Sequence, residues 1–211
     1  MGRLMALTWQ MRSILGLAAI LAPMLSINLA QPTSAETHAS LAGQLLVATP
    51  SMGDPRFDHA VILMVRHDKD GALGILINRP LGTRPLAKLL EVLGENDSKL
   101  PGEVRIFAGG PVQPELGFII HSADYHRPET LDIDGRVAMT SSREILRDIA
   151  ADHGPKKSLI AFGYAGWAAG QLEGELERRV WSSAPADVML IFDENRDKLW
   201  ESAFARRVQD L

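Results

Sequence analysis

The sequence predicts a single α+β domain in which a mixed β-sheet is surrounded by helices. Short apolar stretches typical of strands recur between Gln44 and Phe192. Stretches with helical spacing lie among them without a strict alternation. The 211 residues suffice for one ordinary domain once the N-terminal segment is set aside. No internal repeat or domain-sized break interrupts 43–211, so we expect one domain there.

Residues 1–35 are typical of a targeting segment. Arg3 and Arg12 are its only charged residues, and the apolar stretch Leu15–Leu25 has the length of a secretory h-region. The small residues Thr33–Ala35 then offer a cleavage site. We therefore expect a signal peptide or an N-terminal membrane anchor, which would export the domain to the periplasm or tether it to the inner membrane.

A misassigned start is the alternative to export. Translation from Met11 or Met24 would remove much of the targeting segment and leave a cytoplasmic protein. In either case we expect residues 36–42 to be a small polar linker, with the domain over 43–211. Any membrane contact would be made only through the N-terminal segment.

The composition narrows the classes of function. The 22 basic residues include the two arginines of the targeting segment, so 20 oppose 26 acidic residues in the remainder, a net charge of −6. Such an acidic body argues against a nucleic-acid partner, since non-specific binding depends on Lys and Arg at the phosphates. The absence of cysteine excludes disulfides, thiolate nucleophiles and cysteine-ligated metal sites.

Three strands are predicted at the start of the domain. The stretches are Gln44–Thr49, Ala60–Arg66 and Ala72–Asn78, and the last two are apolar enough to be buried on both faces. The polar segment His67–Gly71 separates these two and ends in Asp-Gly. Because Asp-Gly is typical of hairpin turns, we expect the second and third strands to pair.

The middle of the domain combines a helix with two short strands. The stretch Pro85–Leu93 has helical spacing, with Pro in its first turn and Gly94 as a stop signal. Strands are predicted at Val104–Phe107 and Phe118–Ser122, on either side of Gly109–Pro111.

Two helices are predicted in the C-terminal half. Ser141 and Glu144 have the spacing of a capping box, which places a helix over Ser142–His153. Residues Gly163–Gly166 are predicted to turn into a second helix, from Trp167 to about Arg179.

Three more strands and a last helix complete the prediction. The strands are Arg136–Thr140, Ser158–Phe162 and Val188–Phe192. Asp193 is then expected to cap a final amphipathic helix.

Motifs of common enzyme classes do not occur in the sequence. There is no phosphate-binding loop, dinucleotide G-x-G-x-x-G, G-x-S-x-G elbow or H-E-x-x-H pair. His59 and His67 lie eight residues apart and would share one face of a regular strand, so a metal site with nearby acids is one interpretation. Surface or strand-end histidines are the other interpretation.

A second polar cluster consists of His121, Asp124 and His126. A metal-dependent or hydrolytic enzyme could use it, and Ser141 with His121 and Asp124 could form a catalytic triad. Because spacing alone establishes no such geometry, a surface loop is the competing interpretation.

The glycine-rich segments are the preferred binding-site candidates. Gly109 and Gly110 lie between two predicted strands. Glycine there permits either a tight structural turn or a nest of amides that holds an anionic group.

The second glycine-rich segment contains Gly163, Tyr164, Gly166 and Trp167. It is predicted to join a buried strand to the first turn of a helix. Free amides at a helix start can receive a phosphate or carboxylate, whereas the small residues could equally serve packing of the helix on the sheet.

Asn78 and Arg79 complete the ligand-binding candidates. They precede Pro80 at a strand end, where Arg79 could grip a carboxylate or phosphate or hold a structural ion pair. Gln171 and Glu175, four residues apart, make either a recognition surface or a solvated stripe. No residue is assigned a catalytic or metal-binding role, and no cofactor is expected.

Six segments of the sequence stand out: Pro50–Phe57, Gly74–Pro80, Phe107–Val112, Met139–Glu144, Gly163–Leu176 and Trp181–Asp187. Taken in this order, they resemble signatures of the YqgE/AlgH family. Each is modest alone, but together they are specific, and the resemblance extends from about Leu41 to Phe204.

This resemblance implies a bifurcated, partly barrel-like sheet surrounded by helices. It implies no settled reaction and no catalytic residues; some members are described as transcriptional regulators, and members are usually taken as cytosolic. We therefore expect a non-catalytic regulatory or binding module that receives a small anionic ligand or a protein partner. A metal-dependent or hydrolytic enzyme and an envelope accessory protein are the alternatives.

Overall fold

The computed structural model describes residues 39–92 and 100–208. These residues form ten strands, five short helices and two 3₁₀ turns. The predicted signal peptide or anchor at 1–35 lies outside the described residues, as do the first residues of the linker. So do Leu93 and Gly94, where the first predicted helix should end.

The elements follow one another along the chain without regular alternation. The strands are β1 (Gln44–Ala48), β2 (Val61–Asp68), β3 (Gly71–Leu76), β4 (Pro80–Pro85), β5 (Glu103–Ala108), β6 (Val112–Ser122), β7 (Leu131–Asp132), β8 (Val137–Thr140), β9 (Ser158–Ala168) and β10 (Trp181–Pro185). The helices are α1 (Leu86–Val92), α2 (Glu144–Ala150), α3 (Gln171–Glu177), α4 (Val188–Ile191) and α5 (Leu199–Ala205). The 3₁₀ turns are Pro55–Phe57 and Arg196–Lys198.

The ten described strands belong to one mixed sheet. Its main path runs β10-β1-β2-β3-β9-β6-β8-β7, and every neighbouring pair on it is antiparallel. Off this path, β5 pairs in parallel with β9, and β4 pairs with β5.

The sheet divides at β9. The first half of this strand, Ile160–Phe162, pairs with β5, whereas its second half, Ala165–Ala168, pairs with β3. The sheet curls into a half barrel with the helices packed around it. This architecture confirms the predicted single α+β domain with a bifurcated, partly barrel-like sheet.

Apolar side chains from both faces of the sheet form separate clusters. Leu63 and Ile75 belong to the largest, whereas their strand neighbours Ile62 and Met64 belong to a second cluster that includes Trp167. A third cluster joins α1 and α2 to β6 and β9. Strand β2 is therefore buried on both faces, as its continuous apolar sequence predicts.

The predicted hairpin at the start of the domain is confirmed. In the β2–β3 pair Asp68 lies opposite Gly71, which leaves Lys69 and Asp70 as the turn. Strands β4, β7 and β10 were not predicted. β4 is exposed along its length and pairs only with β5, which is the edge position where a strand tolerates proline such as Pro80 and Pro85.

The predicted helix from Trp167 to Arg179 is wrong in its first part. Strand β9 continues through the predicted turn Gly163–Gly166 as far as Ala168, and α3 occupies only Gln171–Glu177. The extension is stabilised by pairing with β3, a contact between distant parts of the chain that local turn signals do not reveal.

The predicted strand Val188–Phe192 is also wrong. These residues form the single-turn helix α4, which Asp187 caps by accepting a hydrogen bond from the Met189 N–H over 2.8 Å. The last helix begins at Leu199 and is preceded by the 3₁₀ turn, so Asp193 does not cap it.

The predicted capping box at the start of α2 is not formed. The helix begins at Glu144, with Arg143 rather than Ser141 in the cap position. The Ser142 hydroxyl, one residue later than predicted, donates to the Glu144 carboxylate.

Among the residues that the structure describes, no helix has both the length and the hydropathy of a membrane span.

Candidate functional site

The two glycine-rich segments pack against each other. A Cβ atom on Gly109 would lie 2.3 Å from the Gly163 carbonyl oxygen, and one on Gly110 would lie 2.0 Å from the Tyr164 carbonyl carbon. The Gly109 N–H donates to the Phe162 carbonyl over 2.6 Å. Glycine is required at 109 and 110 because backbone meets backbone there.

Gly163 supplies the matching bend in β9. Its φ of 74° lies in the left-handed region, and a Cβ atom on it would lie 2.4 Å from the Gly110 carbonyl oxygen. Next to this contact, Val112 of β6 pairs with Tyr164 of β9. The structure therefore brings both predicted glycine segments to one place and uses them to set two strands close together.

Two tryptophans next to this contact share one carboxylate. The indole N–H groups of Trp167 on β9 and Trp181 on β10 both donate to Oε2 of Glu175 on α3, each over 2.8 Å. Gln171 donates to the other oxygen of Glu175 over 3.0 Å. The Trp167 and Trp181 rings meet edge to face with centroids 6.1 Å apart. Glu175 thus ties α3 to two strands.

These side chains border a cavity of about 350 Å³, which we call the tryptophan cavity. Phe57 continues the aromatic wall, with its ring edge to face against Trp181 at 5.5 Å. The other lining residues come from four stretches of the chain: Met52, Gly53, Asp54, Arg56, Pro111, Val112, Gly166, Gln171, Arg178 and Val180.

The charged groups that line the tryptophan cavity differ in whether another side chain already holds them. Asp54 pairs with Arg56 at 2.6 Å, and hydrogen bonds from Arg56 lower the pKa of Asp54 below its usual value. Glu175 is held by the two indoles. The Arg178 guanidinium takes part in no hydrogen bond or ion pair with the described residues, so it is the cation of the lining that is open to a ligand.

Comparison with known proteins assigns this fold to a family. A family model described as AlgH-like matches residues 45–211. The chain belongs to the AlgH-like family.

Relatives of this AlgH-like chain cover most of its length. A UPF0301 protein of Methylococcus capsulatus is 44% identical over 82% of this chain and 94% of its own length. A UPF0301 protein of Rhodospirillum rubrum is 41% identical over 83% of this chain and 92% of its own.

Two solved structures resemble the AlgH-like domain. The solution structure of the AlgH protein from Pseudomonas aeruginosa has a TM-score of 0.69 and 39% identity, covering 83% of this chain and 92% of that one. A Corynebacterium diphtheriae protein has a TM-score of 0.62 at 20% identity, covering 80% of this chain and 87% of that one, and shows the fold alone.

Asn78 and Arg79 have structural contacts in this AlgH-like chain. The Asn78 side chain accepts from the Val61 N–H over 2.9 Å and donates to the His59 carbonyl over 2.8 Å. Arg79 donates to the backbone carbonyl of Asp58 rather than to a carboxylate. Both side chains therefore fix the segment that leads into β2, and neither lines the tryptophan cavity.

His59 and His67 do not form a metal site. His67 is buried, accepts the Leu41 N–H at Nδ1 over 3.1 Å and contacts Glu173 at Nε2 over 2.9 Å. His59 is exposed and contacts Asp58. Among residues 39–92 and 100–208, no group of three or more His, Asp or Glu side chains is placed to hold a metal ion.

The His121 cluster has no triad geometry. Nδ1 of the buried His121 donates to the Ser122 carbonyl over 2.9 Å, and Nε2 has no partner among the described residues. Asp124 instead accepts from the Ser122 hydroxyl and the Lys156 N–H. No hydrogen bond between described residues joins His121 to Asp124 or Ser141.

The sequence analysis singled out some of the residues that line the tryptophan cavity. Gly166 and Trp167 were candidates, but as a helix start rather than a strand. Glu175 was considered with Gln171 as a recognition surface or a solvated stripe, and Trp181 drew notice only through the family resemblance. Arg178 carried no signal. An acidic residue four positions after Gln171 does not reveal that two indoles reach it from separate strands.

Proposed function

We propose that this AlgH-like protein is a non-catalytic binding module and that the tryptophan cavity receives its ligand. One observation carries the proposal: four of the six segments that resemble the family signatures supply lining residues to this one cavity. They are Pro50–Phe57, Phe107–Val112, Gly163–Leu176 and Trp181–Asp187. Concave, mostly apolar pockets with a few placed polar groups are the usual form of ligand sites.

The lining favours a small organic anion. The aromatic rings of Trp167, Trp181 and Phe57 offer apolar surface. Arg178 offers a guanidinium without a partner among the described residues, and its planar fork suits a carboxylate or phosphate. A volume of about 350 Å³ lies toward the small end of known ligand pockets, so the ligand is small.

The contacts of the acidic groups in the cavity support binding rather than catalysis. A general base or nucleophile needs an oxygen or nitrogen that can reach the substrate. Both oxygens of Glu175 accept hydrogen bonds from the protein, and Asp54 is held by Arg56. The carboxylates of the cavity therefore position the walls.

A thermal-shift screen of the full chain with small carboxylates and phosphates tests this function. A ligand that binds the native state raises the melting temperature. We expect hits whose shift is lost in Arg178→Gln and retained in Arg179→Gln, a matched control whose exposed side chain lies outside the cavity. A screen without any hit, or one in which every hit is indifferent to Arg178→Gln, would contradict the proposal.

A further inference from the structure

Arg196 is a buried cation that forms no ion pair with any residue of 39–92 or 100–208. Its side chain belongs to the 3₁₀ turn before α5, and the residue is 8% exposed. Nη1 donates to the Ile191 carbonyl over 2.8 Å, and the guanidinium lies 5.2 Å from the centre of the Phe107 ring. Nε has no hydrogen-bond partner, and no described carboxylate lies within ion-pair distance.

Burying a charge without an ion-pair partner lowers the stability of a folded protein. Charged side chains are almost never buried unless they are paired, because burial removes their hydration. Burial lowers the pKa of Arg196 to about 10; Asp193 opposes this shift and Arg105 adds to it. The guanidinium therefore keeps its charge at neutral pH, and its compensation is one backbone carbonyl, one aromatic face and the more distant charge of Asp193.

Arg196 lines a second cavity, of about 570 Å³, which we call the Arg196 cavity. It shares no lining residue with the tryptophan cavity. Ile160 and Phe192 give it apolar walls beside Phe107, and Lys156 and Lys157 add exposed cations.

Acidic residues also border the Arg196 cavity. Glu103, Asp152, Asp193 and Glu194 all belong to its lining, but all four are exposed. Charges in water are strongly screened, whereas a buried charge acts through a medium of lower dielectric constant. The buried guanidinium of Arg196 therefore makes the largest contribution to the electrostatic potential in the inner part of the cavity.

We propose that the Arg196 cavity is a second binding site, for an organic oxyanion whose acidic group meets the guanidinium at Nη2. Nη1 donates to the Ile191 carbonyl, and neither Nε nor Nη2 has an acceptor among the described residues. The anion approaches through Nη2, and its negative charge compensates the positive charge that is delocalised over the whole guanidinium. Much of the lining surface is polar, and Phe107, Ile160 and Phe192 are the apolar residues that an apolar body of the ligand would contact.

Calorimetric titrations of the full chain with phenyl phosphate, benzoate, inorganic phosphate and benzamide test this site. Both aromatic anions carry the required chemistry, and their relative affinities distinguish a phosphate from a carboxylate ligand. We expect at least one of them to bind more tightly than inorganic phosphate and than the neutral benzamide. If neither aromatic anion binds more tightly than both inorganic phosphate and benzamide, the assignment is overturned.

Variants then locate the binding. We expect Arg196→Gln to weaken binding by about tenfold or more, because it removes the charge that the anion meets. Lys157→Glu leaves Arg196 in place and should weaken binding by about threefold or more, even if Arg196→Gln fails to fold. Lys198→Glu, in the same 3₁₀ turn but outside the cavity, is the matched control.

The same titrations separate this site from the tryptophan cavity. Arg178→Gln should leave affinity at the Arg196 cavity unchanged. Binding that is lost in Arg178→Gln and retained in Lys157→Glu would overturn the second site and leave the first one standing.

Discussion

The indole N–H of Trp181 donates to Oε2 of Glu175 over 2.8 Å, although Trp181 begins strand β10 and Glu175 lies on helix α3. Trp167 of β9 donates to the same oxygen. One carboxylate oxygen thus holds together three elements around the tryptophan cavity. The geometry of the proposed ligand site depends on this charge remaining in place.

Glu175→Gln should destabilise the protein. A glutamine offers one acceptor oxygen in place of two, so either both indoles or the Gln171 amide lose their acceptor. We expect a loss of about 1–3 kcal/mol in the free energy of unfolding, measured by urea denaturation. Glu177→Gln, on the exposed face of the same helix, should change it little. Equal effects of the two substitutions would contradict the role of Glu175.

Gly110→Ala should be far more damaging than an alanine at an open glycine. The new Cβ atom would lie 2.0 Å from the Tyr164 carbonyl carbon, so β6 and β9 would have to separate. We expect a loss of about 3 kcal/mol or more, or insoluble protein. Gly53→Ala, where nothing lies within 4 Å, is the control. A Gly110→Ala protein as stable as the control would disprove the close backbone contact.

Asn78→Ala should cost stability without affecting ligand binding. The substitution removes two hydrogen bonds, to the Val61 N–H and the His59 carbonyl, and should cost about 1–2 kcal/mol. Asn195→Ala removes an exposed amide and serves as the control. Loss of binding in a stably folded Asn78→Ala protein would instead indicate that Asn78 contacts the ligand.

His121 should make the protein acid-sensitive above the range of the carboxylates. Burial lowers the pKa of His121 from its ordinary value of 6.5; the Ser122 carbonyl and Asp124 oppose the shift, and His126 adds to it. Below pH 6.5 the unfolded chain binds a proton that the folded protein resists. The free energy of unfolding should therefore fall as the pH falls from about 7 to 5.

Substitution of His121 separates its contribution to the pH dependence of stability from that of other groups. His121→Leu, which cannot be protonated, should flatten the dependence of unfolding free energy on pH in that window. His153→Leu, at an exposed position, should leave it as in the parent protein. An unchanged slope in His121→Leu would show that other groups cause the acid sensitivity.

The sequence predicted best where the local signal and the tertiary structure agree. The β2–β3 hairpin combines apolar strands with an Asp-Gly turn, so local chemistry was enough. The stretch Val188–Phe192 is short and apolar, and its pattern does not distinguish a buried strand from a buried helical turn. Asp187, which caps that turn, was the signal that could have decided it.

The candidate site was predictable only in part, because its parts meet through long-range pairing. Gly163 and Gly166 resemble a turn locally, yet β3 and β6 hold both residues in one continuous strand. Gly109 and Gly110 were singled out as candidates, and their partner across the contact is Gly163, 53 residues beyond Gly110 in the sequence. The sequence does not single out Arg178 or Arg196, because the fold determines how exposed a side chain is and which groups it pairs with.

Nuclear magnetic resonance of the indole N–H groups tests the central claim most directly. The full chain is titrated with an organic anion whose thermal shift in the screen is lost in Arg178→Gln. We predict that the Trp167 and Trp181 signals shift in proportion to occupancy, while that of Trp200, which donates to the Ala48 carbonyl and does not line the cavity, stays in place. Saturation that leaves the Trp167 and Trp181 signals unmoved would contradict the tryptophan cavity as the ligand site.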